Sequence, residues 1–306
     1  VAIDAESGRK AWEIKTDLPF TGGPGISDNL LMMGTENGEV FAFDASTGTQ
    51  LWSATVTSEV LAAPAAADGV VVVRCVDGRV FGLDADTGQR EWVYDHSVPL
   101  LTLRGNAPLL VRGGVVFIGY DGGQVVALRT DDGTVIWEQT LVTVDGRTEL
   151  DRLADIDGQM VYIASDLLVS SYKNRLASLA ADSGRLLWFK DISSATGVAV
   201  DSINLTISDK DGNVWLLDMR NGAEFWKHNQ LLRRGLTRPA FFGSFVVVGD
   251  FEGYLHWINV DDGQFAAREK VGGKGLAGPP LVVGNTLYAM TKKGKLTAFR
   301  AGAALN

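Results

Sequence analysis

The feature that most constrains this chain is a short phrase that recurs along its whole length. Each copy has a run of apolar residues, an Asp or a substitute, a turn containing Gly and three further residues, and six copies then have Trp, as in GRVFGLDADTGQREW, whereas the seventh has Ala267. Seven copies occupy residues 1–12, 38–52, 78–92, 123–137, 174–188, 212–226 and 253–267, and an incomplete eighth occupies residues 294–302. Recurrence at about 40 residues indicates one supersecondary unit used repeatedly.

The residues of the repeat favour β-strands. Runs such as VFAFD and VFGLD are rich in β-branched and aromatic residues, and the turn glycine supplies the positive φ of a tight hairpin. Two further short apolar runs precede each phrase, so each unit contains four short strands. Four antiparallel strands in a unit of about 40 residues are typical of a β-propeller blade. We predict an all-β, eight-bladed β-propeller of four-stranded antiparallel blades that forms a single domain over residues 1–306.

The first and last units of the repeat are incomplete. The first copy has only its third and fourth strands, and the eighth lacks its fourth. In a closed propeller, one terminus usually supplies the missing strands of the blade at the other terminus, so that no sheet edge is left bare. We therefore expect the natural chain to extend N-terminally from Val1.

Two consecutive crossings between blades are longer than the others. Counted from the repeat Trp to the start of the next first strand, 16 positions separate Trp92 from Pro108, and 23 separate Trp137 from Met160. Four other crossings, which begin at Trp12, Trp52, Trp226 and Ala267, take 12 or 13 positions. Consecutive crossings are neighbours on one face of a propeller, and loops on a rigid scaffold commonly carry function.

The composition of these two long crossings is typical of a protein interface. The first contains Leu100, Leu101, Leu103 and Arg104. The second ends with Asp155 and Asp157, close to the next first strand. Apolar anchors beside an arginine and a charged rim are what protein interfaces use. In the alternative interpretation, the leucines form a small core beneath the loop and the arginine pairs with the two aspartates.

A third candidate surface is the crossing NQLLRRGLTRP, residues 229–239. It has the normal length but carries three cations in an acidic chain: Arg233, Arg234 and Arg238. The pattern fits a secondary contact with an acidic partner surface, and it equally fits a solvated basic patch.

Charge and cysteine content exclude several function classes. The net charge of −9 argues against nucleic acid as the main partner, because phosphate binding needs a basic surface. Cys75 is the only cysteine, so the sequence offers no disulfide within the chain and no cysteine-based metal site. The three histidines lie far apart in the repeat, and no catalytic or metal-binding motif is found. We predict a non-enzymatic protein with no metal and no cofactor.

Three segments resemble one family among the propellers with PQQ-like repeats. LTLRGNAP (101–108), TELDRLADID (148–157) and VGDFEGYLHWINVDDGQF (248–265) look like the BamB family of outer-membrane assembly lipoproteins. The resemblance implies a periplasmic scaffold that is held to the outer membrane by an N-terminal lipid anchor, on a cysteine outside this sequence. It implies binding to the POTRA domains of BamA, and a possible contact with unfolded outer-membrane proteins. The family's BamA-contacting positions fall on Leu101, Leu103, Arg104, Asp155 and Asp157.

A different function class shares the repeat and stays open at this point. PQQ-dependent dehydrogenases use the same phrase, but they hold their cofactor with calcium ligands and usually an adjacent cysteine pair. A single Cys75 excludes such a pair, and the sequence shows no catalytic base. We therefore favour the scaffold over the dehydrogenase.

Overall fold

The computed structural model describes residues 1–97, 107–141, 155–173 and 175–300. Within these ranges the chain forms strands and turns, with no helix. The described part therefore contains no helix long and apolar enough to span a membrane. Two compact units divide the chain, Val1–Asp155 and Ile156–Asn306, and each is described by itself.

The first unit contains strands β1–β14 in four antiparallel sheets. Sheet 1 pairs β1 with β2, and sheets 2, 3 and 4 are four-stranded meanders in chain order. The strands are β1 Ala2–Ile3, β2 Lys10–Trp12, β3 Phe20–Ser27, β4 Leu30–Thr35, β5 Glu39–Asp44, β6 Gln50–Thr55, β7 Ala65–Ala67, β8 Val70–Arg74, β9 Val80–Asp84, β10 Arg90–Tyr94, β11 Leu110–Arg112, β12 Val115–Tyr120, β13 Gln124–Arg129 and β14 Val135–Thr140.

The second unit contains strands β15–β29, also in four antiparallel sheets. Sheets 5, 6 and 7 have four strands each, and sheet 8 has three among the described residues. The strands are β15 Val161–Ile163, β16 Asp166–Ser171, β17 Arg175–Ala180, β18 Leu186–Lys190, β19 Val198–Asp201, β20 Asn204–Ser208, β21 Val214–Asp218, β22 Glu224–His228, β23 Ala240–Phe242, β24 Phe245–Gly249, β25 Tyr254–Asn259, β26 Phe265–Lys270, β27 Leu281–Val283, β28 Thr286–Met290 and β29 Leu296–Arg300.

These sheets confirm the predicted fold class. The described residues form eight sheets, six of them four-stranded, and the short ones are the two-stranded first and the three-stranded last. First strands of consecutive sheets are neighbours inside each unit, as β7 is to β11 and β19 is to β23. The single-domain prediction over residues 1–306 is untested by these observations and stays a prediction.

The core lies between successive sheets. Every residue of β8, Val70–Arg74, is buried, and a cluster of apolar side chains joins sheet 2 to sheet 3. Second and third strands are covered on both faces, which explains why their sequences are continuous apolar runs and do not alternate. Each buried Val or Leu contributes about 1.5–3 kcal/mol relative to exposure. Fourth strands are mostly exposed and bury chiefly their Trp, as β6 and β10 show.

Five of the repeat tryptophans bind their sheet to the next one along the chain. The indole N–H of Trp52 donates to the carbonyl of Ala85 at 2.8 Å. Trp12, Trp92, Trp188 and Trp226 make the same bond to the carbonyls of Ala45, Thr130, Met219 and Val260. A β-bulge directly before each of these tryptophans in β6, β10, β18 and β22 re-aims the side chain. This confirms the expected docking of the tryptophans between sheets.

The turn glycine is required because the Trp ring lies directly on it. Gly88 has φ +72, and a Cβ there would stand 2.5 Å from the ring of Trp52. Gly133 and Trp92 repeat this contact, with φ +71 and 2.5 Å. The Asp-x-x-x-Gly turn therefore closes the hairpin and also receives the tryptophan of the preceding sheet.

The aspartate of the same turn gives a pH-dependent prediction. Hydrogen bonds to Asp44, the strongest from the Ser46 hydroxyl, lower its pKa to about 2. The unfolded value is near 3.9, so the stabilisation from this carboxylate is present above about pH 4 and is lost as the pH falls towards 2. Asp44→Asn should flatten the acid side of a thermal-midpoint profile measured by circular dichroism between pH 5 and 2. Asp28→Asn, an exposed aspartate in the neighbouring turn, is the control, and equal profiles for the two variants would contradict the assignment.

Candidate partner-binding site

The predicted site residues fall partly outside the described residues. Leu100, Leu101, Leu103 and Arg104 lie there, so their contact with a partner stays a prediction. The structure does describe where both long crossings leave and rejoin the sheets. The first crossing follows β10 after Tyr94 and meets β11 at Leu110, and the second follows β14 after Thr140 and meets β15 at Val161.

Asp155 anchors the end of the second crossing. Its side chain is buried, with 1% exposure, and Oδ1 accepts the backbone N–H of Gly122 at 3.1 Å. Gly122 belongs to the tight turn between β12 and β13, where it and Gly123 have positive φ values of 85 and 79. A carboxylate that caps a neighbouring turn holds the crossing in one place. Asp157 is partly buried and belongs to the second unit.

A buried arginine lies beside that turn. Arg74 ends β8 and is only 6% exposed, and its Nη1 donates to the carbonyl of Gly119 at 2.7 Å. The guanidinium stands over the ring of Tyr120 at 4.8 Å and lies 3.9 Å from the carboxylate of Asp121. A buried cation is tolerated when hydrogen bonds, a carboxylate and an aromatic face all compensate it.

The start of the first crossing also contacts Tyr120. The imidazole of His96 stacks on Tyr120, with 3.8 Å between the ring centroids. The Tyr120 hydroxyl donates to the carbonyl of Gly78 at 3.2 Å, and the Tyr94 hydroxyl donates to Glu138 at 2.8 Å. Burial lowers the pKa of His96, so the ring is neutral near pH 7 and stacks without the cost of burying a charge.

We call Arg74, His96, Tyr120, Asp121 and Asp155 the Tyr120 platform. His96 connects the platform to the start of the first crossing, and Asp155 connects it to the end of the second. Burial raises the pKa of Asp121; Arg74 opposes this and Asp155 adds to it. The platform therefore holds one arginine and two aspartates at the start of the first crossing and near the end of the second.

Sequence reasoning missed the platform except for Asp155. The sequence did contain a sign of a buried charge, because Arg74 ends the otherwise apolar run VVVVR. Tyr120 also directly precedes the turn Asp121–Gly123. A charged residue at the end of a fully buried strand requires a compensating partner. Its partners come from β12, about 45 positions away, so the sequence alone did not identify them.

The third candidate surface is largely engaged inside the protein. Arg234 Nε donates to Asp250 at 2.7 Å, and its Nη2 donates to Glu252. His256 lies 2.8 Å from the same Asp250 oxygen. Arg238 is partly buried, whereas Arg233 is exposed with φ 62. Contact of these three arginines with a partner remains a prediction, and Arg233 is the one whose side chain is exposed.

The described residues bring together no group of three His, Cys, Asp or Glu side chains that could hold a metal ion. Cys75 is buried, and burial raises the pKa of its thiol to about 11.

Comparison with known proteins decides the family. The model of a family described as "Outer membrane protein assembly factor BamB" matches residues 1–228. The chain belongs to the BamB family. The BamB of Pseudomonas aeruginosa is 50% identical over 98% of this chain and 79% of its own length. The BamB of Xanthomonas campestris pv. campestris is 43% identical over 98% of this chain and 76% of its own length.

Solved structures agree with the BamB assignment. The crystal structure of BamB from Moraxella catarrhalis superposes with a TM-score of 0.90 at 31% identity, covering 96% of this chain and 89% of that one. A quinohemoprotein alcohol dehydrogenase from Comamonas testosteroni superposes with a TM-score of 0.73 at 14% identity, covering 92% of this chain and 66% of that one. At that identity the likeness to the dehydrogenase shows the fold alone, and it gives the dehydrogenase alternative no support.

Proposed function

We propose that this chain is a non-catalytic scaffold of the outer-membrane protein assembly machinery that binds the POTRA domains of BamA. The observation that carries the proposal is membership of the BamB family over almost the whole chain. With it we propose a periplasmic location at the outer membrane, reached through an N-terminal lipid anchor, and a contact with unfolded outer-membrane proteins.

The Tyr120 platform supports placing the BamA contact on the two long crossings. The start of the first crossing and the end of the second contact the same buried cluster, through the His96–Tyr120 stack and the Gly122–Asp155 hydrogen bond. A binding loop gains affinity when its ends are held rigidly, because less conformational entropy is lost on binding. Leu101, Leu103 and Arg104 lie in the first crossing and would supply the apolar anchors and the arginine. Asp155 would hold the end of the second crossing in place through its hydrogen bond to Gly122. Asp157 would belong to the charged rim of the BamA interface.

The test is a binding measurement with the POTRA region of BamA. Arg104→Ala should weaken binding by about 30-fold or more, since a central interface arginine contributes about 2 kcal/mol or more. The readout is biolayer interferometry on purified protein, with circular dichroism as the check of folding. Arg112→Ala removes an exposed arginine of β11 and is the matched control.

Two outcomes would contradict the proposal at different levels. Failure of the wild-type chain to bind the POTRA region would reject BamA as the partner. Equal binding by the wild type, Arg104→Ala and Arg112→Ala would retain the partner and reject the long crossings as its site.

A further inference from the structure

Arg238 departs from the repeat at the position where a first strand begins. The residue before the corresponding proline of the crossing is small elsewhere in the chain: Gly23, Ala63, Ala107 and Gly278. In the crossing to sheet 7 the same position holds Arg238, directly before Pro239. At these four crossings a first strand begins without a long side chain there, so the start of a first strand does not by itself explain this arginine.

The guanidinium of Arg238 has less compensation than its burial requires. Its Nη1 donates to the carbonyl of Val198 at 3.3 Å, whereas its Nε is buried without a hydrogen-bond partner. Across the part of the chain that the structure describes, no carboxylate lies within ion-pair distance of it. Arg74 in the first unit is the internal comparison, because that arginine has a carbonyl, a carboxylate and a tyrosine ring around it. Partial burial of a cation without a carboxylate costs free energy, and an anion beside the cation lowers that cost.

Arg238 lines a cavity of about 610 Å³ in the second unit. The first strands of sheets 5, 6, 7 and 8 form its walls, with apolar side chains from Val161, Val200, Phe241 and Leu281. Clefts of about 300–1,000 Å³ are the usual binding sites of small molecules. Asp201 also lines the cavity, and its carboxylate disfavours a ligand with more than one negative charge.

We propose that this cavity binds a small monocarboxylate, with the carboxylate on the guanidinium of Arg238 and a short apolar body against the strands. The planar guanidinium can donate from its two terminal nitrogens to the two oxygens of a carboxylate, which gives a bidentate contact. The site differs in residues and position from the two long crossings, so it stands independently of BamA binding.

The test follows the Nε–Hε resonance of Arg238 by NMR in ¹⁵N-labelled protein. Its signal is assigned by its loss in Arg238→Ala, a variant that should fold because Ala63 and Ala107 occupy the equivalent position. Butyrate is titrated at constant ionic strength, balanced with chloride. We expect a shift that saturates with butyrate, and we expect succinate, which has the same four carbons but two charges, and inorganic phosphate to bind at least about tenfold more weakly.

Two variants complete the experiment. Binding of butyrate, followed on the remaining signals of the cavity, should weaken at least about tenfold in Arg238→Ala. Arg233→Ala removes the same charge from an exposed position five residues earlier and should leave binding unchanged. A wild-type resonance that does not respond, or responds equally to chloride, would overturn the proposal and leave Arg238 as a structural contact to Val198. Tighter binding of succinate or phosphate than of butyrate would overturn the monocarboxylate assignment.

Discussion

Replacement of Trp92 by alanine should lower the free energy of unfolding by about 4 kcal/mol. The indole is 8% exposed and lies in the apolar cluster that joins sheets 3 and 4. It packs on Gly82 in its own sheet and on the turn glycine Gly133 in the next one. Its N–H satisfies the carbonyl of Thr130 at 2.9 Å. Alanine would leave a cavity and an unpaired carbonyl at the same place, and both effects lower the free energy of unfolding.

Urea denaturation followed by far-ultraviolet circular dichroism measures this loss, because fluorescence would change with the removal of the tryptophan itself. Trp92→Phe retains most of the ring and loses the N–H, so it should cost less than Trp92→Ala. Val93→Ala is the matched control, since Val93 is the next residue on β10 and is 44% exposed. Its effect should stay within about 0.5 kcal/mol. Similar losses for Trp92→Ala and Val93→Ala would show that docking between sheets is not what stabilises the repeat.

Asp250→Ala should lower the free energy of unfolding by about 3 kcal/mol, the second largest loss that we expect. The Asp250 side chain is fully buried and accepts hydrogen bonds from Arg234 Nε and from the backbone N–H groups of Glu252 and Tyr254. His256 is also fully buried and lies 2.8 Å from the same carboxylate. Without the carboxylate the imidazole remains buried with no acceptor for its proton. Arg234 is a quarter exposed and can turn partly to water, which places the loss at the lower end of the range for broken buried pairs.

The pH profile gives this prediction a second readout. Burial alone would raise the pKa of Asp250, but hydrogen bonds from His256, the Tyr254 N–H and Arg234 outweigh burial and lower it. A lowered pKa in the folded state means that the stabilisation is present above about pH 4 and is lost as the pH falls further. The difference between wild type and Asp250→Ala should therefore shrink on the acid side in denaturation curves measured from pH 7 downwards.

Asp261→Ala removes an exposed aspartate from the same sheet and is the matched control. It should change stability by no more than about 0.5 kcal/mol at neutral pH. A difference between wild type and Asp250→Ala that stays constant with pH would contradict the proposed role of the carboxylate.

The sequence by itself determined the strands, their antiparallel order within each sheet and the two incomplete ends. These follow from local chemistry: β-branched and aromatic runs form strands, and a glycine at positive φ closes the hairpin. The burial of the repeat tryptophan was also predictable, because a large apolar residue on a mostly exposed strand is expected to pack against the next sheet. Each of these inferences depends on residues only a few positions apart.

Only the tertiary structure decided how the charged residues are used. Arg74 meets Gly119 and Tyr120, and Asp155 meets Gly122, across sequence separations that no local pattern encodes. Arg234 and Arg238 look alike in LLRRGLTRP, yet the first is paired with Asp250 and the second is partly buried, with no hydrogen-bond partner for its buried Nε. The physical reason is that the energy of a charge depends on its burial and its partners, and both are set by strands brought together from distant parts of the chain.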